Sequence, residues 1–373
     1  MKNLLYKPLL VLGCWFLTIT GGIAQNKANK LKNAPTDIFL LIGQSNMAGV
    51  GPIESLDTVA LKNAYIFNDK SEWEEVRNTE LEGTNRYSSV KKPSKQRLSP
   101  GYTFAKKIAF YTNRKIGIVS NARGGTTVSW WQKGYTGEND FDLYEEAVAK
   151  AKAALAATPG SKIKGIIWHQ GEGDNSKTSS VHYLQRLKKL VTDLRTDLGD
   201  SNIPFIAGEV GKWNNRGLGV NPKIRLVKDS ISSADYVSSD GLTSINLAKN
   251  DPHFDTYSQR VLGGRYADKA FELIYKEKPS GATLFNEIDF KGRSVLLIPG
   301  DYTATDIESM GINAKEISSL KVDKGYKIQL FSENLKKEIL SADKDQASLN
   351  EIDLPSIIRV TKTKSPKKKI SVL

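Results

Sequence analysis

The sequence predicts an α/β domain with a parallel sheet, followed by a small all-β domain. Short apolar runs between residues 37 and 276 alternate with longer stretches whose apolar residues recur at helical spacing. This alternation is typical of a parallel sheet with helices on both faces. After about Ala282 the chain changes to short alternating strands separated by turn residues, which indicates an all-β unit.

The first 24 residues have the features of a secretory signal peptide. Lys2 and Lys7 precede an apolar run over residues 9–20, and small residues occupy positions 22–24. We expect cleavage after Ala24, a polar linker over residues 25–36 and a secreted or periplasmic protein. The apolar run is short for a membrane span, so we expect no membrane span after signal cleavage.

The composition excludes several kinds of chemistry. Cys14 is the only cysteine and lies in the predicted signal peptide, so the mature protein would have no disulfide, no thiolate metal site and no cysteine nucleophile. Without residues 1–24, basic residues exceed acidic ones by 11 instead of 13, because Lys2 and Lys7 are lost. Part of this charge lies in a basic tail, residues 362–373. No nucleic-acid motif is visible, so nucleic acid is not an expected partner; the charge suits an anionic polysaccharide or surface.

The elements of the two domains follow in order along the chain. We predict strands at residues 38–42, 116–120, 163–168, 205–209 and 236–238. We predict helices at residues 144–157 and 181–198, and a last helix at about 258–275. We expect the α/β domain to occupy residues 37–278 and the all-β domain residues 279–361.

The first predicted strand stops at a small, polar turn, Gly43-Gln-Ser-Asn-Met-Ala-Gly49. Open α/β sheets place their sites just beyond the carboxyl ends of such strands. Ser45 would project there into a crevice with backbone N–H groups nearby, as a nucleophilic serine requires. The alternative is that Ser45 only caps the following helix.

Three later segments favour the nucleophile. Asn121-Ala-Arg-Gly-Gly-Thr126 follows the second strand, and its two glycines would let backbone N–H groups approach a substrate closely. Trp168-His-Gln-Gly-Glu-Gly-Asp174 follows the third strand, and the side-chain amide of Gln170 can donate a hydrogen bond into the crevice. Asn250-Asp-Pro-His-Phe-Asp255 precedes the last helix and places a carboxylate two residues from a histidine.

Histidine is scarce, with only His169, His182 and His253. His253 is the best candidate for a general base, because its loop should reach the same sheet edge as the candidate nucleophile. His182 falls in a predicted helix, and His169 suits a structural role. A metal site built from His169, Asp174, Asp251 and His253 is the competing hypothesis. No recognised zinc-ligand spacing is present, so we expect neither a metal nor a cofactor.

Together these segments resemble those of SGNH-type hydrolases, in the branch that contains acetylxylan esterases and sialate O-acetylesterase-like proteins. The four segments match in order and spacing over about residues 37–275, and the last continues into Gln259-Arg-Val-Leu-Gly-Gly-Arg-Tyr266. The resemblance implies a flavodoxin-like three-layer α/β/α fold and the removal of acetyl groups from carbohydrate.

The resemblance also implies roles for individual residues. Ser45 would be the nucleophile, and His253 would take its proton and return it to the leaving sugar hydroxyl. The oxyanion would be held by the backbone N–H of Ser45, a backbone N–H of Gly124 or Gly125, and the side chain of Gln170.

The triad acid is where this sequence departs from the family pattern. Relatives usually place an aspartate three residues before the histidine, where this chain has Asn250. Asp251 stands two residues before, and a one-residue loop deletion would still let it reach His253. Glu172 is the other candidate, because the matching glutamate is proposed to orient the histidine in some relatives. We favour Asp251, and both carboxylates can contribute.

Three residues that follow the second strand are candidate substrate contacts, namely Arg123, Trp130 and Trp131. Exposed tryptophans beside a crevice can stack on sugar rings. The alternative is that at least one of them packs against the edge of the sheet.

The carboxyl-terminal region resembles a βγ-crystallin double Greek key. Phe285, Phe290 and Gly292 match its aromatic-corner motif, and Ser318-Ser319 matches the serine pair before the closing strand. The second half is degraded, at Leu335, Lys337 and Ile357. The positions that bind calcium in relatives are Ala314, Lys315, Ile352 and Asp353. We therefore expect little or no calcium binding and a stabilising appendage.

The sequence thus predicts a secreted serine carbohydrate O-acetylesterase acting on acetylated polysaccharide or oligosaccharide, with acetylated xylan as the first substrate class. A sialate O-acetylesterase is the second hypothesis, and a non-catalytic glycan-binding protein on the same fold is the third. A lipase or thioesterase of this fold is the fourth, although the sequence shows no long apolar acyl channel.

Overall fold

The computed structural model describes residues 36–79, 85–89, 95–137, 142–332, 337–349 and 355–363. The predicted signal peptide and all of the predicted linker except Thr36 lie outside these residues. Seven strands precede residue 279 in the described ranges: β1 (Asp37–Gly43), β2 (Ala64–Phe67), β3 (Trp73–Glu75), β4 (Ile116–Ala122), β5 (Lys162–His169), β6 (Phe205–Gly208) and β7 (Ala234–Val237).

These strands form one sheet in the order β3-β2-β4-β1-β5-β6-β7. All neighbouring pairs are parallel except β2 and β3. The five predicted strands are confirmed, with ends that differ by one or two residues. β2 and β3 were missed, because they are only four and three residues long and give no clear apolar run.

Helices cover both faces of this sheet, as the alternation predicts. They are α1 (Ser45–Ala48), α2 (Pro100–Thr112), α3 (Leu143–Ala157), α4 (Tyr183–Asp197), α5 (Asn221–Arg225), α6 (Val227–Ser230) and α7 (Thr256–Ala270). A π-helical turn, Phe271–Tyr275, continues α7, so the predicted last helix is confirmed as one element with a changed pitch. Single 3₁₀ turns lie at Ser55–Asp57, Val128–Trp131, Glu172–Asp174, Trp213–Asn215, Leu247–Lys249, Ile288–Phe290 and Ala314–Glu316.

The central strand β1 shows why the fold has three layers. Successive strand residues point to opposite faces. Ile38, Leu40 and Ile42 are fully buried in one core cluster, with α3 and α4. Phe39 and Leu41 are fully buried in the other, with α2 and α7. Because both faces are covered, the strand reads as an unbroken apolar run.

The all-β domain contains two antiparallel sheets. Its strands are β8 (Ala282–Phe285), β9 (Ser294–Leu297), β10 (Gly300–Thr303), β11 (Ser319–Val322), β12 (Tyr326–Ser332), β13 (Lys337–Ala342) and β14 (Ile357–Lys362). In the described residues the sheets have the orders β11-β8-β9 and β10-β14-β12-β13. A short helix, α8 (Ala304–Met310), was not predicted.

The two halves of this domain exchange strands, as a double Greek key requires. β10 belongs to the first half but pairs with β14 in the sheet of the second half. In the other direction, Gln346 forms an antiparallel bridge with Leu320 in the sheet of the first half. Ser319 pins the predicted aromatic corner, since its Oγ donates to the Glu287 carbonyl (2.6 Å) and accepts from the Phe290 N–H (3.1 Å).

The last described strand includes a residue that was predicted to belong to the basic tail. Lys362 was assigned to a solvated tail, but it is the last residue of β14 and pairs with Tyr326. The tail therefore begins later, because the ladder reaches from the first residue of β12 to the last residue of β14. Leu335, Ile352 and Asp353 lie outside the described residues.

The all-β domain contacts the α/β domain at the amino end of the main sheet. Tyr111, near the end of α2, donates its hydroxyl to the Leu296 carbonyl (2.5 Å), and the Phe110 ring lies 6.1 Å from the Tyr302 ring. β4 starts four residues after α2, at Ile116, and its carboxyl end is about 20 Å away at 3.3 Å per residue. The all-β domain thus contacts the end of the sheet opposite Ser45.

Candidate active site

The nucleophile turn is held tightly against the neighbouring strand. β1 ends at Gly43, and the next N–H, from Gln44, donates to the His169 carbonyl at the end of β5 (2.9 Å). Gly43 has a φ of +141°, and a Cβ there would lie 2.1 Å from the same carbonyl oxygen, so only glycine fits. The chain then turns directly into α1, whose first residue is Ser45.

Ser45, His253 and Asp251 form a continuous chain of polar contacts. Ser45 Oγ lies 2.9 Å from His253 Nε2, and His253 Nδ1 lies 2.7 Å from Asp251 Oδ1. Ser45 and His253 are 208 residues apart in sequence and meet at the carboxyl end of the sheet. The histidine and aspartate side chains are 28% and 34% exposed, so the group is open to a substrate.

The spacing of two residues between Asp251 and His253 explains how this acid reaches its base. Asp251 Oδ1 also accepts the backbone N–H of His253 (2.9 Å), so the carboxylate closes an Asx-type turn and binds the ring in the same geometry. The Asp251 carbonyl in turn accepts from Trp213 Nε1 and Ser244 Oγ, both at 2.9 Å. These two hydrogen bonds hold the backbone of the loop in place at Asp251.

Asn250, at the position where the family resemblance led us to expect the acid, has a different environment. It adopts a left-handed conformation with a φ of 50°. Its side-chain oxygen accepts from Arg216 Nε (3.0 Å) and Asn214 Nδ2 (3.3 Å), and its carbonyl accepts from Arg216 Nη2. Asn250 therefore ends the 3₁₀ turn before it and stabilises the loop.

Gly124, the first of the two glycines after β4, lies against Ser45, and Gly125 follows it in the same turn. A Cβ on Gly124 would be 3.3 Å from the Ser45 Cβ, so the two residues are in contact. Gly125 has a φ of +76° and open space around it. Arg123 fixes this turn, since its N–H donates to the Gly43 carbonyl (2.9 Å). Within the described residues, the amides of Ser45, Gly124 and Gly125 have no protein acceptor.

The prediction that Gln170 donates to an oxyanion is corrected by its position. The side chain is fully buried, and its amide nitrogen donates to the Thr126 carbonyl (2.9 Å) and to Asp174 Oδ2 (2.7 Å). Both N–H groups are used, so none remains for a substrate. Gln170 therefore ties β5 to the glycine turn, which holds Gly124 and Gly125 in place.

The two candidate tryptophans differ in burial and in their contacts. Trp131 is fully buried, packs edge-on against Trp168 (5.4 Å) and donates Nε1 to Thr126 Oγ1 (3.2 Å), so its prediction as a sugar contact is corrected. Trp130 is half-buried and lies beside the ring of Tyr135, at 6.4 Å. Trp130, and the half-buried Arg123, stay predictions as substrate contacts.

Glu172 does not contact His253. Its Oε1 accepts from Asn46 Nδ2 at 2.5 Å and lies 3.9 Å from His169 Nε2. The side chain is only 8% exposed, and burial raises the pKa of Glu172 to about 7, although the hydrogen bond from Asn46 opposes the shift. The carboxyl group thus lies behind the nucleophile turn and not beside the base.

The other two histidines lie outside the Ser45–His253–Asp251 chain. His169 is fully buried, and its Nδ1 lies 2.9 Å from the Tyr266 hydroxyl. That hydroxyl donates to the Trp168 carbonyl (2.8 Å), so His169 Nδ1 carries the hydrogen. Burial lowers the pKa of His169 to about 3. His182 is exposed at the residue before α4. Among the described residues, no group of three His, Cys, Asp or Glu side chains could hold a metal ion.

Sequence reasoning missed Asn46, Trp213 and Arg216, which all contact the loop that carries Asp251 and His253. Asn46 was visible as the residue after the candidate nucleophile. Trp213 and Arg216 follow β6 in a stretch without a motif, so no sequence signal linked them to the site.

The shifted pKa of Glu172 predicts a pH-dependent stability. An unfolded glutamate has a pKa of about 4.3, so the folded state keeps a proton that the unfolded state releases. The free energy of unfolding should therefore fall as pH rises from about 4.3 to about 7, by up to about 3 kcal/mol. Glu172→Gln should remove this loss.

Urea unfolding of the two proteins at pH 5 and pH 8 measures this difference. As pH rises from 5 to 8, we expect the free energy of unfolding of Glu172→Gln to increase relative to that of the wild type. Because His169 is present in both proteins, its own titration largely cancels in the comparison. Parallel pH profiles for the two proteins would show that Glu172 is ionised in the fold.

Comparison with known proteins identifies the family of this chain. The family model described as "SASA: Carbohydrate esterase, sialic acid-specific acetylesterase" matches residues 35–272, which is more than half of the chain. The chain belongs to this carbohydrate esterase family. The esterase is therefore a carboxylic ester hydrolase, a carbohydrate O-acetylesterase, which confirms the predicted class of enzyme.

Two relatives are similar to the α/β domain of the esterase. A probable carbohydrate esterase of Arabidopsis thaliana is 26% identical over 250 residues, which cover 61% of this chain and 88% of the relative. Its X-ray structure covers 65% of this chain and 100% of that chain, with 24% identity and a TM-score of 0.55. A probable 9-O-acetyl-N-acetylneuraminic acid deacetylase of Escherichia coli K12 is 31% identical over 98 residues, covering 23% of this chain and 30% of the relative.

The esterase is also similar, over about a quarter of its length, to a small solved structure. Hahellin, a βγ-crystallin with an NMR structure, is 29% identical and covers 24% of this chain and 99% of that chain, with a TM-score of 0.22. Within the described residues, no helix combines the length and the apolarity that a membrane span requires.

Proposed function

We propose that the esterase is exported and removes acetyl groups from an acetylated polysaccharide by a Ser-His-Asp mechanism through an acetyl-enzyme. One observation carries the mechanism: Ser45 Oγ, both ring nitrogens of His253 and Asp251 Oδ1 form one chain with contacts of 2.9 and 2.7 Å. An ordinary serine hydroxyl is a weak nucleophile, and a base within hydrogen-bond reach is what activates it.

The reaction proceeds in two steps that share one base. His253 Nε2 takes the Ser45 proton as Oγ attacks the acetyl carbonyl, and then gives that proton to the departing sugar hydroxyl. In the second step His253 takes a proton from water, which attacks the acetyl-enzyme, and returns it to Ser45 as acetate leaves. Asp251 accepts from Nδ1–H throughout, which fixes the tautomer and stabilises the imidazolium.

We assign the oxyanion hole to backbone groups alone. Gly124 is in contact with Ser45, and the N–H groups of Ser45, Gly124 and Gly125 have no protein acceptor among the described residues. Such donors, held by the fold before the reaction, stabilise the charge that develops on the carbonyl oxygen. The Gln170 amide supports this turn from the buried side.

We assign the role of triad acid to Asp251. Its carboxylate contacts the base directly, whereas Glu172 contacts Asn46. The Asp251 side chain is one-third exposed.

For the substrate, we propose acetylated xylan first and O-acetylated sialic acid second. The compact single α/β domain and the excess of positive charge suit an anionic, acetylated polysaccharide outside the cell. The name of the E. coli relative and the description of the family favour the second candidate. The predicted signal peptide supports export, and contact with the far end of the main sheet supports a stabilising role for the all-β domain.

Acetate release decides between these substrates. The mature protein, residues 25–373, is offered acetylated xylan, 9-O-acetyl sialic acid, an aryl acetate and an aryl octanoate. Acetate from xylan at a higher kcat/KM than from sialic acid is the expected result. A higher kcat/KM for 9-O-acetyl sialic acid would make O-acetylated sialic acid the substrate. A preference for the aryl octanoate would indicate a lipase. Binding of xylan without cleavage of any ester would favour the glycan-binding hypothesis.

The indole of Trp213 provides a test of how the acid loop is held. Trp213→Phe keeps the ring contact with Phe254, at 5.2 Å, and loses the 2.9 Å bond to the Asp251 carbonyl. One such hydrogen bond contributes about 0.5–1.5 kcal/mol, so we expect kcat for an aryl acetate to fall about three- to tenfold at unchanged KM.

Trp73→Phe is the matched control, because it also removes an indole hydrogen bond, of 2.8 Å to Thr158 Oγ1. Trp73 lies in β3 at the edge of the sheet, so its loss should lower stability and leave kcat unchanged. Equal kcat values for the two variants would contradict a role of Trp213 in holding the acid loop.

A further inference from the structure

Asn46 follows the candidate nucleophile directly and is fully buried, with every hydrogen-bonding position of its amide in use. Its Oδ1 accepts from the Phe254 N–H (3.1 Å) and from Gln259 Nε2 (3.2 Å). Its Nδ2 donates to Glu172 Oε1 (2.5 Å) and to the Pro252 carbonyl (3.2 Å). The amide therefore has no capacity left for a substrate.

The partners of this amide lie on both sides of the base. Pro252 and Phe254 are the two chain neighbours of His253, and Asn46 is the chain neighbour of Ser45. One planar group thus connects the backbone around the base to the backbone of the nucleophile, across 208 residues of sequence. The separation of Ser45 Oγ and His253 Nε2 depends on where this group lies.

Glu172 and Gln259 determine which way the amide points. Glu172 offers an acceptor to Nδ2, and Gln259 offers a donor to Oδ1. A flipped amide would direct its N–H groups at the Phe254 N–H and its oxygen at two acceptors. The buried carboxyl group thus has a task at the nucleophile turn that requires no contact with His253.

We propose that Asn46 is a positioning residue that sets the separation of Ser45 and His253, and that Glu172 is the acceptor that orients Asn46. This inference rests on the proposed serine-esterase function. A displacement of about 1 Å at reacting groups can cost about 10²-fold in rate. Loss of the amide should therefore lower kcat strongly, although Asn46 does not touch the substrate.

The first test is Asn46→Ala. We expect kcat for an aryl acetate to fall about 30- to 100-fold with KM changed less than threefold. The rate at which a fluorophosphonate labels Ser45 should fall in proportion, because labelling needs the nucleophile and its base but no sugar. A purely structural role would lower stability and leave both rates per folded molecule unchanged.

A second set of variants reverses the hydrogen bond between the two side chains. Asn46→Asp places two carboxyl groups at the 2.5 Å contact, and adding Glu172→Gln restores one donor and one acceptor in the opposite direction. We expect the double variant to regain at least tenfold in kcat over Asn46→Asp. Glu172→Gln alone keeps the acceptor, so it should lose at least tenfold less than Glu172→Leu.

The outcomes separate this inference from the proposed function. If the wild-type protein neither cleaves an ester nor reacts with the fluorophosphonate, both fail. If the wild type is active and folded Asn46→Ala keeps kcat within threefold, only the positioning role fails. If Asn46→Ala does not fold, the double variant Asn46→Asp, Glu172→Gln provides the test. No gain in its kcat over that of Asn46→Asp would then overturn the positioning role. Equal loss in Glu172→Gln and Glu172→Leu would show that the charge of Glu172 is required and overturn its role as an acceptor.

Discussion

Ser45→Ala is expected to lower kcat for ester hydrolysis by about 10⁵- to 10⁶-fold, the loss seen when a serine nucleophile of this kind is removed. The Ser45 hydroxyl lies 2.9 Å from His253 Nε2 and is the group that would form the acetyl-enzyme. The backbone N–H groups around it remain in the variant, so a small rate above water should persist. KM should change little, because the side chain is small and contributes little to binding.

Acetate release from acetylated xylan and from an aryl acetate, under single-turnover and steady-state conditions, measures this loss. Ser341→Ala is the matched control, since Ser341 is exposed in β13 of the all-β domain. It should keep the wild-type rate on both esters. An active Ser45→Ala protein would exclude an acetyl-enzyme on this residue and would require a water nucleophile instead.

Asp251→Asn is expected to give the second largest effect, a fall in kcat of about 10³- to 10⁴-fold. The amide oxygen can still accept the backbone N–H of His253, now 2.9 Å from Asp251 Oδ1, so the loop should keep its shape. What the variant loses is the negative charge that stabilises the imidazolium formed in each step. Glu172→Gln should lose far less, because Glu172 has no contact with the base.

The double variant Asn250→Asp, Asp251→Asn is the sharpest companion experiment. It restores the aspartate at the position that relatives use, three residues before the histidine. We expect no rescue, because the Asn250 side chain faces Arg216 and Asn214. Recovery of the wild-type rate would show that the loop can change its register and that the acid is not fixed by the present turn.

Much of the fold could be predicted from the sequence because its elements are long and periodic. β1 is buried on both faces and gives a continuous apolar run over residues 38–42, and β5 gives a shorter one over residues 165–168. The short strands β2 and β3 depend on pairing with β4 and with one another, which no local pattern reveals. The helix α8 is only seven residues long and lies between short strands, so it gives no clear helical pattern in the sequence.

Within the site, the sequence by itself determined which segments meet. Polar residues that follow buried parallel strands must share one edge of the sheet, so Ser45, Gly124 and His253 could be grouped before any coordinates. This holds because strand direction fixes where each loop emerges. The family resemblance then supplied the expected class of enzyme.

Only the tertiary structure decided what each side chain in those segments does. Gln170, Trp131 and Glu172 have the residue types of a binding site, but their side chains are buried. Their polar groups bond to Thr126, Asp174 or Asn46 instead of facing the crevice. Asp251 contacts the base because a turn of two residues brings it there. Orientation of this kind depends on packing between segments distant in sequence, and a local pattern carries no record of those contacts.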